Sequence, residues 1–405
     1  MNAGRLQRWA VVAAGTALLA AGGGGWSQGG VPTPPGTAAL RSGGRLDTAP
    51  RTPRTWRSAT YTTSTGEIVR VEVSDTYAPE AVSGQAWAEF FGGLVHGGEL
   101  AGVTVRIATP PEVAAVCGDD ALGCYSGGLL VMPGEQFGGV EPQEIARHEY
   151  GHHVAASRIN PPWSASAYGP KRWSSAMGIC ARTKEGTAFP DDYTHYELSP
   201  GEAFAEAYRV LNDRRAGILG LTWSIVDDSF IPRDDTLRAV EQDVTAPWVE
   251  ATSSVVRGRL TARKRRSLTT LATPLDGVVT VALHVPRGRA DTLALVDPQG
   301  RVVASGLWAG ATTRRLTYLV CGQRRLAVRV VLAGPPGPFT LIVTRPSRAA
   351  GTAGGGAGAA SGMVGLGSRG QFADASTSAG AEPSWILRGL ASSGFGTRTS
   401  RTPLS

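Results

Sequence analysis

Apolar and polar positions alternate most clearly over Glu67–Val73, where Val69, Val71 and Val73 face one way and Ile68, Arg70 and Glu72 the other. A period of two predicts a half-buried strand. The period then changes: Trp87, Phe90, Phe91 and Leu94 recur at helical spacing within Ala81–Val95. Val103–Ile107 alternates again, and Leu129–Met132 is a short apolar run after Gly127-Gly128. Pro142 suits the first position of a helix running to about Ser157, since an N–H is not needed there. Ser199 and Pro200 mark another helix start, with Phe204, Ala207, Tyr208 and Leu211 as its apolar side. The order strand–helix–strand–strand–helix predicts an α+β domain over 58–249, with a helix packed on a small mixed sheet. Residues 250–345 read differently, as short Val/Leu-rich strands between Pro/Gly turns, which predicts an all-β domain.

The ends lack such periodicity. Arg5 and Arg8 precede an uncharged stretch from Trp9 to Ala21, the pattern of a signal peptide over residues 1–21. Export to the medium or a bacterial cell envelope is therefore expected, with a retained N-terminal membrane anchor as the alternative. The chain has 54 glycines and 26 prolines among 405 residues, and they are dense in 22–57 and 346–405. These segments read as a linker or pro-segment and as a disordered Gly/Ala/Ser-rich tail.

The formal net charge of +7 hides a division. Residues 58–249 carry 13 bases and 26 acids, while residues 250–345 carry 15 bases and 4 acids. The acidic half bears the chemistry described next, which argues against a specific nucleic-acid enzyme, whose cleft would be positive. The basic half, with Arg263-Lys264-Arg265-Arg266, is a candidate contact for a cell wall or another polyanion. A monomer is expected.

The candidate chemistry begins at His148-Glu149-Tyr150-Gly151-His152. On a helix, positions i and i+4 share a face, so both imidazoles can reach one metal ion, and Glu149 is placed to take a proton from its water. Arg158 stands where a third histidine six residues on would fall, so another ligand is required. Glu202 and Glu206 are again four apart, on a helix whose other side is apolar. An acidic pair turned toward a core needs a cation. Glu202 is the candidate ligand, with Glu206 orienting a histidine from behind; the reverse assignment is the alternative. Between the helices, Tyr193, His195 and Tyr196 are candidates to stabilise an oxyanion.

These two blocks, His148–His152 and Glu202–Arg209, resemble the gluzincin metallopeptidases, and the second is similar to the corresponding helix of the anthrax lethal factor type. The resemblance implies a zincin-like fold and Zn²⁺ held by His148, His152 and Glu202. It also implies Glu149 as general base, Glu206 outside the ligand set and a peptide or protein substrate. That family uses a tyrosine seven residues before the glutamate ligand; here His195 occupies the position, with Tyr196 adjacent. Residues 251–345 resemble the bacterial pre-peptidase C-terminal domain, a small β-sandwich, through Asp291–Ala304 and Gly334–Val343.

Cys117 and Cys124 bracket a short loop and are the expected disulfide; whether Cys180 bridges to Cys321 is left open by spacing alone. A secreted zinc metallopeptidase is the expected function. The rival from another class is an envelope- or polyanion-binding protein with a structural or vestigial metal site.

Overall fold

The computed structural model describes residues 55–119, 121–190, 194–219 and 225–347. The expected leader, most of the N-terminal linker and nearly all of the C-terminal tail lie outside these residues. No helix among the described residues is long and apolar enough to cross a membrane.

The first module is built on a sheet of order β1-β2-β3-β5-β4. β1 (Trp56–Thr62) and β2 (Ile68–Ser74) pair antiparallel, from Trp56↔Ser74 to Thr62↔Ile68. α1 (Gly84–Gly92) returns the chain to β3 (Thr104–Ala108), which lies parallel to β2. α2 (Pro110–Cys117) leads to the hairpin of β4 (Cys124–Ser126) and β5 (Leu129–Pro133), with β5 parallel to β3 and β4 antiparallel at the edge. Val69, Val71, Val105, Ile107, Leu130 and Met132 are buried, as a period of two requires of strands with one face on a core.

The helix expected over Ala81–Val95 is shorter. Ser83 Oγ caps it by accepting from Ala86 N at 3.2 Å, and Gly92-Gly93 end it, so Leu94 and Val95 leave the helix yet stay buried. The remaining helices are α3 (Pro142–Ala156), α4 (Ala165–Tyr168), α5 (Lys171–Met177), α6 (Ile179–Glu185), α7 (Pro200–Arg215) and α8 (Asp234–Thr245). α3 lies on β4 and β5 and packs its other side on α7. This is the expected helix on a small mixed sheet.

The second module comprises β6 (Ala251–Leu260), β7 (Arg266–Ala272), β8 (Gly277–His284), β9 (Thr292–Val296), β10 (Val302–Ser305), β11 (Leu307–Trp308), β12 (Thr313–Val320), β13 (Arg325–Val331) and β14 (Gly337–Pro346). They form two antiparallel sheets of order β10-β9-β13-β7 and β11-β12-β8-β14-β6, resembling a sandwich. Leu293, Leu295, Val328 and Val330 of one sheet and Val279, Val281, Leu341 and Val343 of the other share one core.

Asp276 joins the two modules. Its N–H donates to Ser175 Oγ at 3.0 Å and its carbonyl accepts from the buried Lys171 Nζ at 3.2 Å. Its Oδ1 accepts from Gly322 N at 3.0 Å and from Arg324. The Cys180–Cys321 disulfide lies at the same junction, and Cys117–Cys124 closes the loop before β4 as expected. The two bridges differ in reach. A sequence separation of 141 against 7 means the first constrains the unfolded chain by about 5 kcal/mol and the second by about 2 kcal/mol on loop-closure entropy.

Candidate metal centre

α3 and α7 are placed by local chemistry at their starts. Pro142 opens α3, where Glu144 reaches back to the Glu141 N–H; Pro200 opens α7, where Ser199 Oγ accepts from Glu202 N. What lets the two helices meet is Gly151. A Cβ there would stand 2.7 Å from Ala205 Cα and 3.0 Å from Ala205 O, both backbone atoms that cannot rotate away. The backbones therefore touch at this crossing, and the polar groups one turn to either side face each other.

Three of those groups converge. His148 Nε2 lies 3.1 Å from Glu202 Oε2 and 3.2 Å from His152 Nε2, and His152 Nε2 lies 3.4 Å from Glu202 Oε2. All three residues are buried, and among the described residues theirs is the cluster able to hold a metal ion. Glu149, between the histidines, is wholly buried, and neither of its carboxylate oxygens has a hydrogen-bond partner. Gly123 walls it in, since a Cβ at that position would come within 3.3 Å of Glu149 Cγ.

The candidates between the helices separate. The Tyr196 hydroxyl donates to Glu202 Oε2 at 2.9 Å. His195 is exposed and stacks on Phe189, with ring centroids 4.0 Å apart. Tyr193 lies outside the described residues. Glu206 sits on the far side of His148, its Oε2 4.0 Å from Nδ1, too long for a hydrogen bond but close enough to attract a protonated ring. It accepts from Arg209 Nε at 2.5 Å; Arg209 also donates to Asp213 at 2.6 Å, and Asp213 pairs with Arg147 at 2.9 Å. This buried chain was not read from the sequence, although Arg209 and Asp213 follow Glu206 at helical spacings of three and seven. Glu144 caps α3 and also lies 3.5 Å from Arg209.

The remaining histidines have structural partners. His153 donates from Nε2 to the Glu99 carbonyl at 2.8 Å, and burial holds its pKa below the usual value. The neutral ring then accepts at Nδ1 from Tyr125 OH. His96 sits in a loop near the carbonyls of Gly92 and Gly97, and His284 ends β8 beside Thr313.

Charge in the cluster is strongly coupled. Burial alone would depress His148, but Glu202 and Glu206 overcome it and raise its pKa to about 10. Glu202 moves the opposite way: burial would raise it, and the two histidines hold it below the usual carboxylate range. Glu149 is pushed up to about 7 by burial, against the pull of His148 and His152. Protons on the imidazoles thus stand in for positive charge the site requires. A metal ion between the two Nε2 atoms and the Glu202 carboxylate fits that demand directly, because Glu202 Oε1 and both Glu149 oxygens are otherwise left buried without hydrogen bonds.

The crossing at Gly151 can be tested. Gly151→Ala is expected to lower stability by about 1–3 kcal/mol through overpacking against Ala205. Separated helices would also widen the donor triangle, so metal affinity should fall in the same variant. Thermal melts with and without metal would report both effects; unchanged melts would show that the helices do not depend on this contact.

No family model and no curated protein matches the chain. Among solved structures, the pre-peptidase C-terminal domain of a collagenase from Bacillus anthracis is 14% identical, over 22% of this chain and 88% of that one, with a TM-score of 0.20. PliG, a periplasmic inhibitor of g-type lysozyme from Aeromonas hydrophila, is 14% identical over 23% and 86%, with a TM-score of 0.19. Aminopeptidase A from Legionella pneumophila, solved with aspartic acid, is 11% identical over 71% and 37%, with a TM-score of 0.21. Likeness this low assigns neither fold nor function, so His148, His152, Glu202 and Glu149 carry the functional reading by their own geometry.

Proposed function

We propose that this chain is a zinc-dependent peptidase acting on peptide or protein substrates. One observation carries the reading: two imidazoles and a carboxylate form a triangle with sides of 3.1, 3.2 and 3.4 Å beside an unpartnered buried glutamate. Ligands of a tetrahedral zinc ion at about 2.0–2.1 Å stand about 3.3 Å from one another. His148, His152 and Glu202 would hold the ion and leave the fourth position open, as a catalytic rather than a structural site requires. Zinc so held would acidify water and polarise the carbonyl of a peptide bond.

The protein's own groups would do the rest. Glu149, with no hydrogen bond to give up, would take the proton of the attacking water and pass it to the leaving amine. Tyr196 is the better placed donor for the developing oxyanion, since its hydroxyl already reaches the ligand carboxylate while the His195 ring is committed to Phe189. Glu206, held by Arg209, would fix the orientation of His148 from behind. Four cysteines joined in two disulfides support a setting outside the reducing cytosol.

The test is cleavage of a denatured protein mixture by zinc-loaded protein, with the chelated protein in parallel and fragments read by mass spectrometry. New termini only with zinc, restored on adding zinc back, are the expected result. Fully loaded protein that produces none would overturn the peptidase reading and favour a binding protein.

A further inference from the structure

The second module does not neutralise its own charge. Residues 250–345 carry 15 Lys and Arg against Glu250, Asp276, Asp291 and Asp297. Three of the four acids are already committed within the module: Asp276 to Arg324, Asp291 to Arg289, and Asp297 to Arg301.

The uncompensated charge is ordered by the sheet. In the β13–β7 register, Leu268 stands opposite Arg329, Thr270 opposite Ala327, Ala272 opposite Arg325, and Arg266 opposite Val331. Side chains two apart on a strand share a face, so Arg266, Arg325 and Arg329 project on the same side of the four-stranded sheet, away from the core that holds Leu326, Val328 and Val330. They line an open groove of about 310 Å³ with Leu268, Thr270, Ala327 and Asp297, the last already paired with Arg301. Arg266 and Arg325 are exposed and Arg329 half-buried, and none of the three pairs with a carboxylate among the described residues. Leu268 is 55% exposed between them, an apolar side chain held in water on an edge strand.

The spacing selects the ligand. At about 3.3 Å per residue and 4.8 Å between strands, Arg325 and Arg329 lie about 13 Å apart, and Arg266 lies about 8 Å from Arg329. That makes a line of positive charge about 20 Å long, more than one small anion can span. No aromatic ring lines the groove. Single-stranded nucleic acids are gripped by stacking bases on such rings, so their absence disfavours them. A guanidinium fork matches the oxygens of a phosphate.

We infer that this groove binds a linear phosphate polymer without bases, lying along β7 and β13 with its phosphates on Arg266, Arg329 and Arg325. The site uses no residue of the metal centre and is independent of peptide hydrolysis.

The probe is long-chain inorganic polyphosphate titrated into the full-length protein. The triple variant R266E/R325E/R329E is compared with R257E/R259E/R315E, which makes the same charge change on the other sheet. The groove variant is expected to bind about 100-fold more weakly, with a salt slope reduced by about two to three, and the control to stay within about fivefold of the parent. Single Arg325→Gln and Arg329→Gln replacements, which keep most of the side chain, should each weaken binding about fivefold and guard against misfolding of the triple variant. Equal losses in both triple variants would reduce the effect to net charge and overturn the site. So would tighter binding of oligo(dT), or of a carboxylate polymer such as polygalacturonate, than of polyphosphate. Parent-like binding by the groove variant or by both glutamine variants would also overturn it.

Discussion

Glu149→Gln is expected to lower peptide hydrolysis by about 10²–10⁴-fold while zinc content stays at the level of the parent. Glutamine has nearly the shape of glutamate, so the pocket between α3 and Gly123 should accept it with little change in packing. It cannot take a proton. Glu149 lies outside the donor triangle, so no metal ligand is lost. The two carboxylate oxygens have no hydrogen-bond partner, so no structural bond is broken by the exchange, and the melting temperature should move little. Metal analysis and turnover measured on the same preparation separate the roles. Turnover retained in Glu149→Gln would remove Glu149 from the chemistry, whereas zinc lost from it would make Glu149 a ligand.

The second large effect should come from α7, and it distinguishes two glutamates that differ by one helical turn. Glu202→Ala deletes one corner of a triangle whose sides are 3.1–3.4 Å, leaving two imidazoles as the only donors. Stoichiometric zinc and peptide hydrolysis should both be lost. Glu206→Ala should keep zinc, with affinity reduced about 10–100-fold, because Glu206 acts on His148 from the opposite side of the ring. It would also remove the 2.5 Å bond that Arg209 donates to Glu206 while leaving Arg209 paired with Asp213, so a loss of stability is expected as well. Calorimetric zinc titration of both variants decides the assignment. Loss of zinc from Glu206→Ala alone would exchange the two roles.

The pairing of His148 with His152, the starts of α3 and α7, and the strands β2, β3 and β5 were legible because each depends on neighbours in the chain. A helix repeats every 3.6 residues and a strand every two, so spacing alone determined which side chains share a face. The same reasoning made Glu202 and Glu206 candidates together. It favoured Glu202 as the ligand but left the reverse assignment open, since both lie on one face of one helix. Local signals were also too weak for β4, which has three residues, and for α2, whose apolar residues do not form a broad stripe.

What sets the two glutamates apart belongs to the tertiary structure. Glu202 faces both imidazoles only because α3 and α7 cross where Gly151 touches Ala205, a contact 54 residues apart along the chain. The crossing brings the Tyr196 hydroxyl to Glu202, leaves His195 on Phe189, and buries Arg209, Asp213 and Arg147 behind the site. Cys180 and Cys321, 141 residues apart, likewise meet only because the two modules do. The sequence determined which residue types share a local face; the contacts between distant faces, which no local period encodes, decided which of those residues meet.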